Sequence, residues 1–326
     1  MRSGRRTRPL LGLLAALGAL SLVEGGLRLA GVSPAYEIGG TGNWRMAAGL
    51  SAAPLHGARD GHAFTVTTNA DGLRTQLGRA GTPGVTRVAL MGDSTVFGWG
   101  VDDGGTVADG AQAALDAADA RVEVLNAGQP GYSTTQAAWL FEGVVAAYRP
   151  DRVVLFVPMH DYNGVLVSDR ERLLGGATLA ARARIRLASS SRIYQVLRRA
   201  LWARTDEAAL RPKDATGEPR VPRVSDAERG LALDALRATL ATWGGTLSVG
   251  FLPFHGDIEG TRTDRVGLDW ATAYGEAHGV PIVDVRACCV GDAAARVLAD
   301  DPGHLSAEGN RKVGAAVAAA LGPRQK

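Results

Sequence analysis

Residues 87–95 read RVALMGDST, and this stretch decides the fold class of the chain. The apolar run is stopped by Gly92, Asp93 and Ser94. A short continuous apolar run bounded by a turn signal is typical of a strand that is buried on both faces of a parallel sheet. A glycine ahead of the serine lets the backbone turn sharply, so the hydroxyl faces the open end of the strand. The stretch therefore predicts a buried strand with Ser94 held at its carboxyl end.

Four further apolar runs follow along the chain, and helical segments separate them. The runs are VEVLNAG at 122–128, RVVLFVP at 152–158, TLSVGFLPF at 246–254 and PIVDV at 281–285. The helical segments are 106–118, 133–147, 225–243, 263–278 and 306–321. Ser133 with Gln136, and Ser225 with Glu228, have the spacing of a capping box. The alternation predicts a parallel sheet of about five strands with helices on both faces, which binds ligands at the carboxyl ends of its strands.

Composition divides the chain into three parts. Residues 1–30 contain an apolar run behind an arginine cluster. Residues 31–84 form an irregular lead-in, in which one short alternating stretch at 63–68 predicts an edge strand. Residues 85–326 hold the predicted strands. Within them, 164–223 is arginine-rich and contains a predicted helix at 191–203, but it does not follow the strand–helix rhythm. We interpret it as an insertion over the edge or mouth of the sheet.

The apolar run near the N-terminus, PLLGLLAALGALSLV at 9–23, follows Arg2, Arg5, Arg6 and Arg8. It has the length of the apolar region of a signal peptide rather than of a full membrane span. No small-x-small cleavage site follows it, which favours an uncleaved signal anchor, with a cleaved signal peptide as the alternative. Arginines ahead of such a run stay in the cytoplasm. We therefore expect membrane contact through this segment and a periplasmic or extracellular domain.

The net charge of +3 arises at the N-terminus. Of the 36 basic side chains, four precede residue 9, so the rest of the chain has 32 basic against 33 acidic side chains. A nucleic-acid-binding domain carries a basic face or stripe in its folded part, and we therefore expect no nucleic-acid partner. The two cysteines, Cys288 and Cys289, are adjacent. We interpret them as small buried apolar residues rather than as a disulfide.

A serine hydroxyl attacks at neutral pH only when a base takes its proton, and the base needs a third group to orient it. Near the C-terminus, Asp301 precedes His304 across a Pro-Gly turn, and this spacing brings the carboxylate and the imidazole side by side. Polar residues after the first three strands, among them Ser94 and His160, converge at one edge of the predicted sheet. The sequence therefore predicts a serine nucleophile with a histidine–aspartate pair.

Three blocks, GDST at 92–95, NAGQPGYSTTQ at 126–136 and DPGHLSAEG at 301–309, resemble in order and spacing the blocks of the SGNH (GDSL-type) hydrolase superfamily. Upstream, TNADGLR at 68–74 and RVALMGDSTVFGWGV at 87–101 resemble its membrane-anchored bacterial branch. The resemblance covers the chain from about residue 65 to the C-terminus. It implies a three-layer α/β/α sandwich with a flavodoxin-like parallel sheet, the SGNH hydrolase fold.

The same resemblance implies roles for individual residues. Ser94 is the nucleophile, His304 is the base, and Asp301 holds His304. The backbone amides of Ser94 and Gly131 donate to the oxyanion of the tetrahedral intermediate. Asp93 is expected to be structural and to fix the turn.

One block departs from the superfamily pattern, which is Gly-x-Asn-Asp. Here residues 158–161 read PMHD, so His160 replaces the asparagine that donates to the oxyanion. An imidazole N–H donates as an amide does, whereas loss of one donor costs about 100- to 1000-fold in rate. His160 as a structural residue, and Asn163 as a substitute donor, are the alternatives.

The resemblance implies an extracytoplasmic serine esterase that hydrolyses an acyl ester, with a carbohydrate or lipid ester as substrate and no organic cofactor. One alternative is an O-acyltransferase acting on envelope polysaccharide, with an acceptor groove in 164–223. Another is a catalytically impaired carbohydrate-binding module. No metal is expected, because His255, Asp257 and Asp161 lack the number and spacing of a metal-ligand set.

Overall fold

The computed structural model describes residues 7–30, 36–38, 43–56, 62–165, 167–175, 187, 191–194, 196–197, 221–262, 265, 267–295 and 303–322. The chain divides into two compact units. One comprises Met1–Ala47 with Gly175–Gly217, and the other comprises Ala48–Leu174 with Glu218–Lys326. The second unit contains the five predicted strands and begins inside the predicted lead-in, whereas most of the predicted insertion belongs to the first unit.

The described elements are numbered in chain order. The strands are β1 (Tyr36–Ile38), β2 (Trp44–Met46), β3 (Ala53–His56), β4 (Ala63–Val66), β5 (Thr86–Met91), β6 (Val122–Asn126), β7 (Arg152–Phe156), β8 (Gly164–Val165), β9 (Val221–Pro222), β10 (Thr246–Phe251) and β11 (Ile282–Asp284). The α-helices are α1 (Thr7–Leu29), α2 (Ser94–Phe97), α3 (Val107–Ala117), α4 (Thr134–Gly143), α5 (Asp169–Gly175), α6 (Asp226–Ala241), α7 (His255–Ile258), α8 (Leu268–His278) and α9 (Ala307–Leu321).

Helix α1 covers the apolar run that follows the arginines. The carboxylate of Glu24 on this helix accepts the backbone N–H groups of Arg192 and Ile193, at 2.9 and 3.1 Å, within the same compact unit. Over the described ranges, no helix is both long enough and apolar enough to cross a membrane.

The lead-in carries short antiparallel ribbons. β1 pairs with β2, and β3 pairs with β4. The alternating stretch at 63–68 forms the expected strand, β4, but this strand does not lie at the edge of the main sheet. Its register places Phe64 opposite Leu55, and both side chains are buried, so the ribbon has an apolar face of its own.

The main sheet consists of the five strands predicted from the apolar runs, and all of them are parallel. Their order across the sheet is β11–β10–β7–β5–β6. This is the flavodoxin-like order, in which the chain reverses its direction across the sheet between the first and third strands. The predicted fold class is confirmed, and the switch point lies between β5 and β7.

Helices cover both faces of this sheet. α3 packs against α9 over a core that includes Val88, Leu90, Val154 and Val313. α4 packs against α6. The crossovers that hold α3 and α4 run in opposite directions across the sheet, and right-handed connections therefore place them on opposite faces. The result is a three-layer α/β/α sandwich.

Both predicted capping boxes form. Ser133 Oγ accepts the Gln136 N–H at 3.3 Å, and Ser225 Oγ accepts the Glu228 N–H at 3.3 Å. The predicted helix at 133–147 ends earlier, at Gly143, and continues only as a 3₁₀ turn over Val145–Tyr148.

The prediction of two buried cysteines is wrong for one of them. Cys289 is buried, whereas Cys288 is exposed, and both thiols are free. The two Sγ atoms lie 3.1 Å apart in the 3₁₀ turn Arg286–Cys289 and form no disulfide.

The predicted insertion at 164–223 begins and ends in the antiparallel ribbon of β8 and β9. Helix α5 follows β8 closely along the chain. Most of the insertion, including much of the helix expected at 191–203, lies outside the described residues. We call the β8–β9 ribbon together with Asp169 and Arg223 the neck of the insertion.

Candidate active site

Ser94 is the first residue of α2, directly after the turn that ends β5. The turn is packed so tightly at Gly92 that it leaves no room for a side chain. A Cβ atom there would lie 2.7 Å from Cγ2 of Val96 and 3.2 Å from the carbonyl oxygen of Phe156. Any larger residue would push the helix away from β7, so the glycine fixes the position of the serine.

Asp93 is the N-cap of α2, as its predicted structural role requires. Its carboxylate accepts the backbone N–H of Thr95 at 3.0 Å and also the Thr95 hydroxyl. An N-cap satisfies backbone donors that have no partner inside the helix. Because Asp93 performs this function, the hydroxyl of Ser94 is left for another partner.

That partner is His304. Its Nε2 lies 2.8 Å from Oγ of Ser94, although 210 residues separate the two along the chain. Ser94 is buried, and His304 is half-buried just ahead of α9. The predicted nucleophile and base are therefore in hydrogen-bond contact. The third predicted member, Asp301, lies outside the described residues.

The loop after β6 packs directly on the start of α2. A Cβ atom on Gly128 would lie 2.3 Å from the backbone nitrogen of Phe97, so only glycine allows this approach. The N–H of Gln129 donates to the carbonyl oxygen of Gly92 at 3.1 Å. This loop, residues 126–131, is thereby fixed beside the serine turn, and we call it the oxyanion loop.

Among the amides near the start of α2 and at the end of the oxyanion loop, two of interest make no hydrogen bond to another described residue. They belong to Ser94 and to Gly131, which are the two predicted oxyanion donors. Gly131 has φ of +74°, a conformation that glycine adopts at little cost. Unpaired N–H groups beside a nucleophile are what an oxyanion hole requires.

His160 lies after β7 in a 3₁₀ turn, Met159–Tyr162. Burial lowers the pKa of its imidazole; the carboxylates of Asp93 and Asp161 oppose this shift, and the charge of Arg223 adds to it. The ring is therefore neutral at pH 7 and carries one N–H. The side-chain amide nitrogen of Asn163 lies 3.3 Å from Nδ1. With the amide nitrogen of Asn163 donating to Nδ1, the proton of the neutral ring is on Nε2.

Asp161, next to His160, anchors this turn. Its side chain is fully buried and accepts the N–H and hydroxyl of Thr134 at 2.8 and 2.7 Å, together with Nε of Arg229 at 3.0 Å. The guanidinium of Arg229 lies between the rings of Tyr162 and Trp270, 4.9 and 4.8 Å from their centroids. The turn that carries His160 is thus tied to α4 and α6.

The structure does not bring His255, Asp257 and Asp161 together as a ligand set. His255 pairs with Glu259 at 3.1 Å, and Asp257 pairs with Arg262 at 3.2 Å. Within the part of the chain that the structure describes, no three or more His, Cys, Asp or Glu side chains are grouped so as to hold a metal ion.

Sequence reasoning missed the contribution of Arg74, the last residue of the TNADGLR block. Its buried guanidinium donates to the carbonyl oxygens of Gly98 and Val101, both at 2.7 Å, and of Thr65 at 3.0 Å. It thereby ties the β3–β4 ribbon to the loop that follows α2. The block TNADGLR indicates a resemblance in sequence, whereas the physical role of its arginine depends on contacts that a local pattern does not carry.

An open cavity of about 500 Å³ lies beside the same loop. Its polar lining includes His62, Asp102, Asp103 and Ser306. Ser306 is two residues after His304, so the cavity borders the segment that carries the predicted base. Carboxylate, imidazole and hydroxyl groups are hydrogen-bond partners for the hydroxyl groups of an alcohol.

No protein-family model matches the chain, and no curated protein matches it. Several solved structures are similar to the chain in the arrangement of the backbone. A lipase/acylhydrolase from Enterococcus faecalis has 18% sequence identity and a TM-score of 0.44, covering 74% of this chain and 100% of its own. A catalytic mutant of an acetylxylan esterase from Geobacillus stearothermophilus has 15% identity and a TM-score of 0.46, covering 76% and 98%.

A further acetyl xylan esterase has 15% identity and a TM-score of 0.44, covering 72% of this chain and 99% of its own. Similarity at this level concerns the arrangement of the chain and carries no information about its substrate.

Proposed function

We propose that the chain is a serine esterase of the SGNH type that hydrolyses an acyl ester through Ser94 and His304. The observation that carries the proposal is the 2.8 Å contact between Ser94 Oγ and His304 Nε2. In this contact the imidazole nitrogen accepts the hydroxyl proton, as general-base activation of a serine requires. The pair lies at the carboxyl edge of the sheet next to the switch point, where sheets of this topology bind ligands.

In the proposed reaction, Ser94 Oγ attacks the carbonyl carbon of the ester while His304 Nε2 takes the hydroxyl proton. The carbonyl oxygen becomes an oxyanion, which accepts hydrogen bonds from the amides of Ser94 and Gly131 and from Nε2–H of His160. The intermediate collapses, and the alcohol leaves with the proton from His304. Water then attacks the acyl-enzyme by the same route, releasing the carboxylic acid and restoring the serine.

Asp301 is assigned the role of orienting His304, on the basis of its spacing and of the resemblance. Without an orienting carboxylate the imidazole adopts the wrong tautomer, which lowers kcat by about 10⁴-fold in a serine triad. Asp301→Asn should therefore reduce turnover strongly while leaving the fold intact. A rate close to that of the wild type would remove Asp301 from the mechanism.

We place the domain outside the cytoplasm and propose an ester of the cell envelope as its substrate class. The location rests on the apolar run at 9–23 behind its arginines, a pattern typical of export segments. A sugar alcohol is favoured over a plain alkyl alcohol because polar side chains, including Asp102 and His62, line part of the cavity beside the loop that follows α2. Specificity in such folds depends on loops of this kind.

The test is the hydrolysis of p-nitrophenyl acetate by the full chain, compared with Ser94→Ala and His304→Ala. Ser225→Ala is the matched control, since it removes a serine hydroxyl that caps α6. We expect release that falls to background in the first two variants and stays within about threefold of wild type in the control, whose cap contributes about 1 kcal/mol to stability only. Ser94 should also react with a fluorophosphonate. Absence of both activities would overturn the proposal in favour of a non-catalytic binding module.

Acyl transfer is the second candidate, because the neck of the insertion lies against the oxyanion loop. Arg223 donates to the carbonyl oxygen of Gly131 at 2.9 Å, so an acceptor held at the neck would be close to the acyl-enzyme. A sugar hydroxyl would then displace water in the second step. Addition of an oligosaccharide acceptor should raise p-nitrophenol release and yield acylated sugar if transfer competes, and should change neither if hydrolysis is the only route.

A further inference from the structure

Arg223 lies at the downstream end of the insertion, directly after β9. Its backbone N–H donates to the carbonyl oxygen of Asn163 at 2.8 Å, which continues the pairing of β8 with β9. Its side chain is only 11% exposed. The guanidinium is therefore held at the neck of the insertion and does not extend into solvent.

Each nitrogen of the guanidinium has a partner. Nε donates to Asp169 Oδ2 at 2.7 Å, Nη1 to the carbonyl oxygen of Gly131 at 2.9 Å, and Nη2 to Gln136 Oε1. Asp169 is on the upstream side of the insertion, and its side chain is 3% exposed. Gln136 belongs to the capping box at the start of α4. Arg223 thus joins both ends of the insertion to the oxyanion loop.

The contact with Gly131 is significant because of the conformation of that residue. Its φ of +74° lies in a region that glycine enters easily and also leaves easily, since no Cβ restricts the backbone. A hydrogen bond from a charged donor is stronger than one from a neutral donor and favours one geometry. The guanidinium therefore restricts a residue whose amide must point in one direction during catalysis.

Resting on the proposed function, we propose that Arg223 is a positioning residue of the oxyanion hole. By holding the carbonyl oxygen of Gly131 it fixes the peptide plane after this residue and the position of its Cα, and this restricts the N–H on the other side of the Cα. Its ion pair with Asp169 ties this restraint to the neck of the insertion. Arg223 acts through Gly131 and does not itself contact the reacting atoms.

The experiment measures kcat, KM and the unfolding temperature of Arg223→Gln in the full chain. The matched control is Arg87→Gln. Arg87 is also nearly buried, pairs with Glu123 at 2.7 Å and donates to several backbone carbonyl oxygens, but it lies at the amino end of β5. Its loss should therefore lower stability without moving an oxyanion donor.

We expect Arg223→Gln to lower kcat by about 10- to 100-fold with little change in KM, since a displaced donor costs less than a deleted one. Arg87→Gln should leave kcat within about threefold of wild type despite a similar fall in unfolding temperature. Arg223→Lys should recover part of the loss, because it keeps the charge but not the fork of donors.

A second measurement separates positioning from general destabilisation. Gly131→Ala strains the backbone of the same residue and displaces its amide. When Arg223→Gln is added to Gly131→Ala, kcat should therefore fall little further, because the donor is already displaced. Additive losses, or equal kcat losses in Arg223→Gln and Arg87→Gln, would overturn the inference while leaving the esterase proposal intact. A wild type without Ser94-dependent turnover would overturn the proposed function itself, and the role of Arg223 with it.

Discussion

A Cβ atom on Gly128 would lie 2.3 Å from the backbone nitrogen of Phe97. Real Cβ atoms do not approach backbone so closely, and the neighbour here is main chain rather than the end of a flexible side chain. The oxyanion loop and the helix of the nucleophile are therefore in direct backbone contact. Their relative position is set by the absence of one side chain.

Gly128→Ala should separate these two segments. We expect a loss of about 1–3 kcal/mol in the free energy of unfolding, as for other overpacked sites. We also expect a fall in kcat, because the Gly131 amide would move away from Ser94. Urea unfolding and ester hydrolysis measure the two effects.

Gly143→Ala is the control for that substitution. Gly143 is the last residue of α4, and a Cβ atom there would have no heavy atom within 4 Å. Alanine is the better helix former, so this variant should be as stable as the wild type or slightly more stable. If Gly128→Ala and Gly143→Ala have the same unfolding free energy and the same kcat, the close approach at Gly128 does not determine the geometry of the site.

Asp93 should affect stability more than chemistry. Asp93→Ala removes the N-cap of α2, which costs about 1 kcal/mol, whereas Asp93→Asn keeps an oxygen that caps equally well. We expect Asp93→Asn to retain most of the wild-type kcat and unfolding free energy, and Asp93→Ala to lose part of both. If Asp93→Asn instead abolishes turnover at full stability, the carboxylate has a direct role in the reaction.

The sheet and the serine–histidine pair were predictable from sequence because their signals are local. The apolar runs specify β5, β6, β7, β10 and β11, and the glycine in GDST specifies the turn. His304 was recognised by its own short block. The parallel topology then brings the block ends together, so local signals sufficed for a contact across 210 residues.

The arginine contacts were not predictable in the same way. Arg74, Arg223 and Arg229 each hold the site through partners that are distant in sequence, such as Gly131, which is 92 residues from Arg223. Nothing in a window around an arginine distinguishes a buried guanidinium from a solvated one. The composition of 164–223 indicated an irregular segment rich in arginine, but not which arginine would face inward.

Arg74 gives a prediction about stability. Arg74→Leu would leave the carbonyl oxygens of Gly98 and Val101 without their donor, and each unpaired buried group costs about 1–3 kcal/mol. We expect a loss of several kcal/mol in urea unfolding. Arg79→Leu is the control, since its ion pair with Asp71 involves a side chain that is 59% exposed. Arg79→Leu should lower the free energy of unfolding by less than about 1 kcal/mol.

His160 gives a prediction about pH. Burial lowers the pKa of the imidazole in the folded chain. At a pH between that lowered pKa and the ordinary value of about 6.5, the imidazole is protonated in the unfolded chain and neutral in the folded chain. The stability that the neutral ring contributes is fully present above this interval of pH and is lost as pH falls through it.

His160→Asn removes the titrating group. The unfolding free energy of the wild type should therefore fall more steeply than that of His160→Asn below about pH 6.5. Parallel curves would show that the ring is as well solvated in the folded protein as in the unfolded chain.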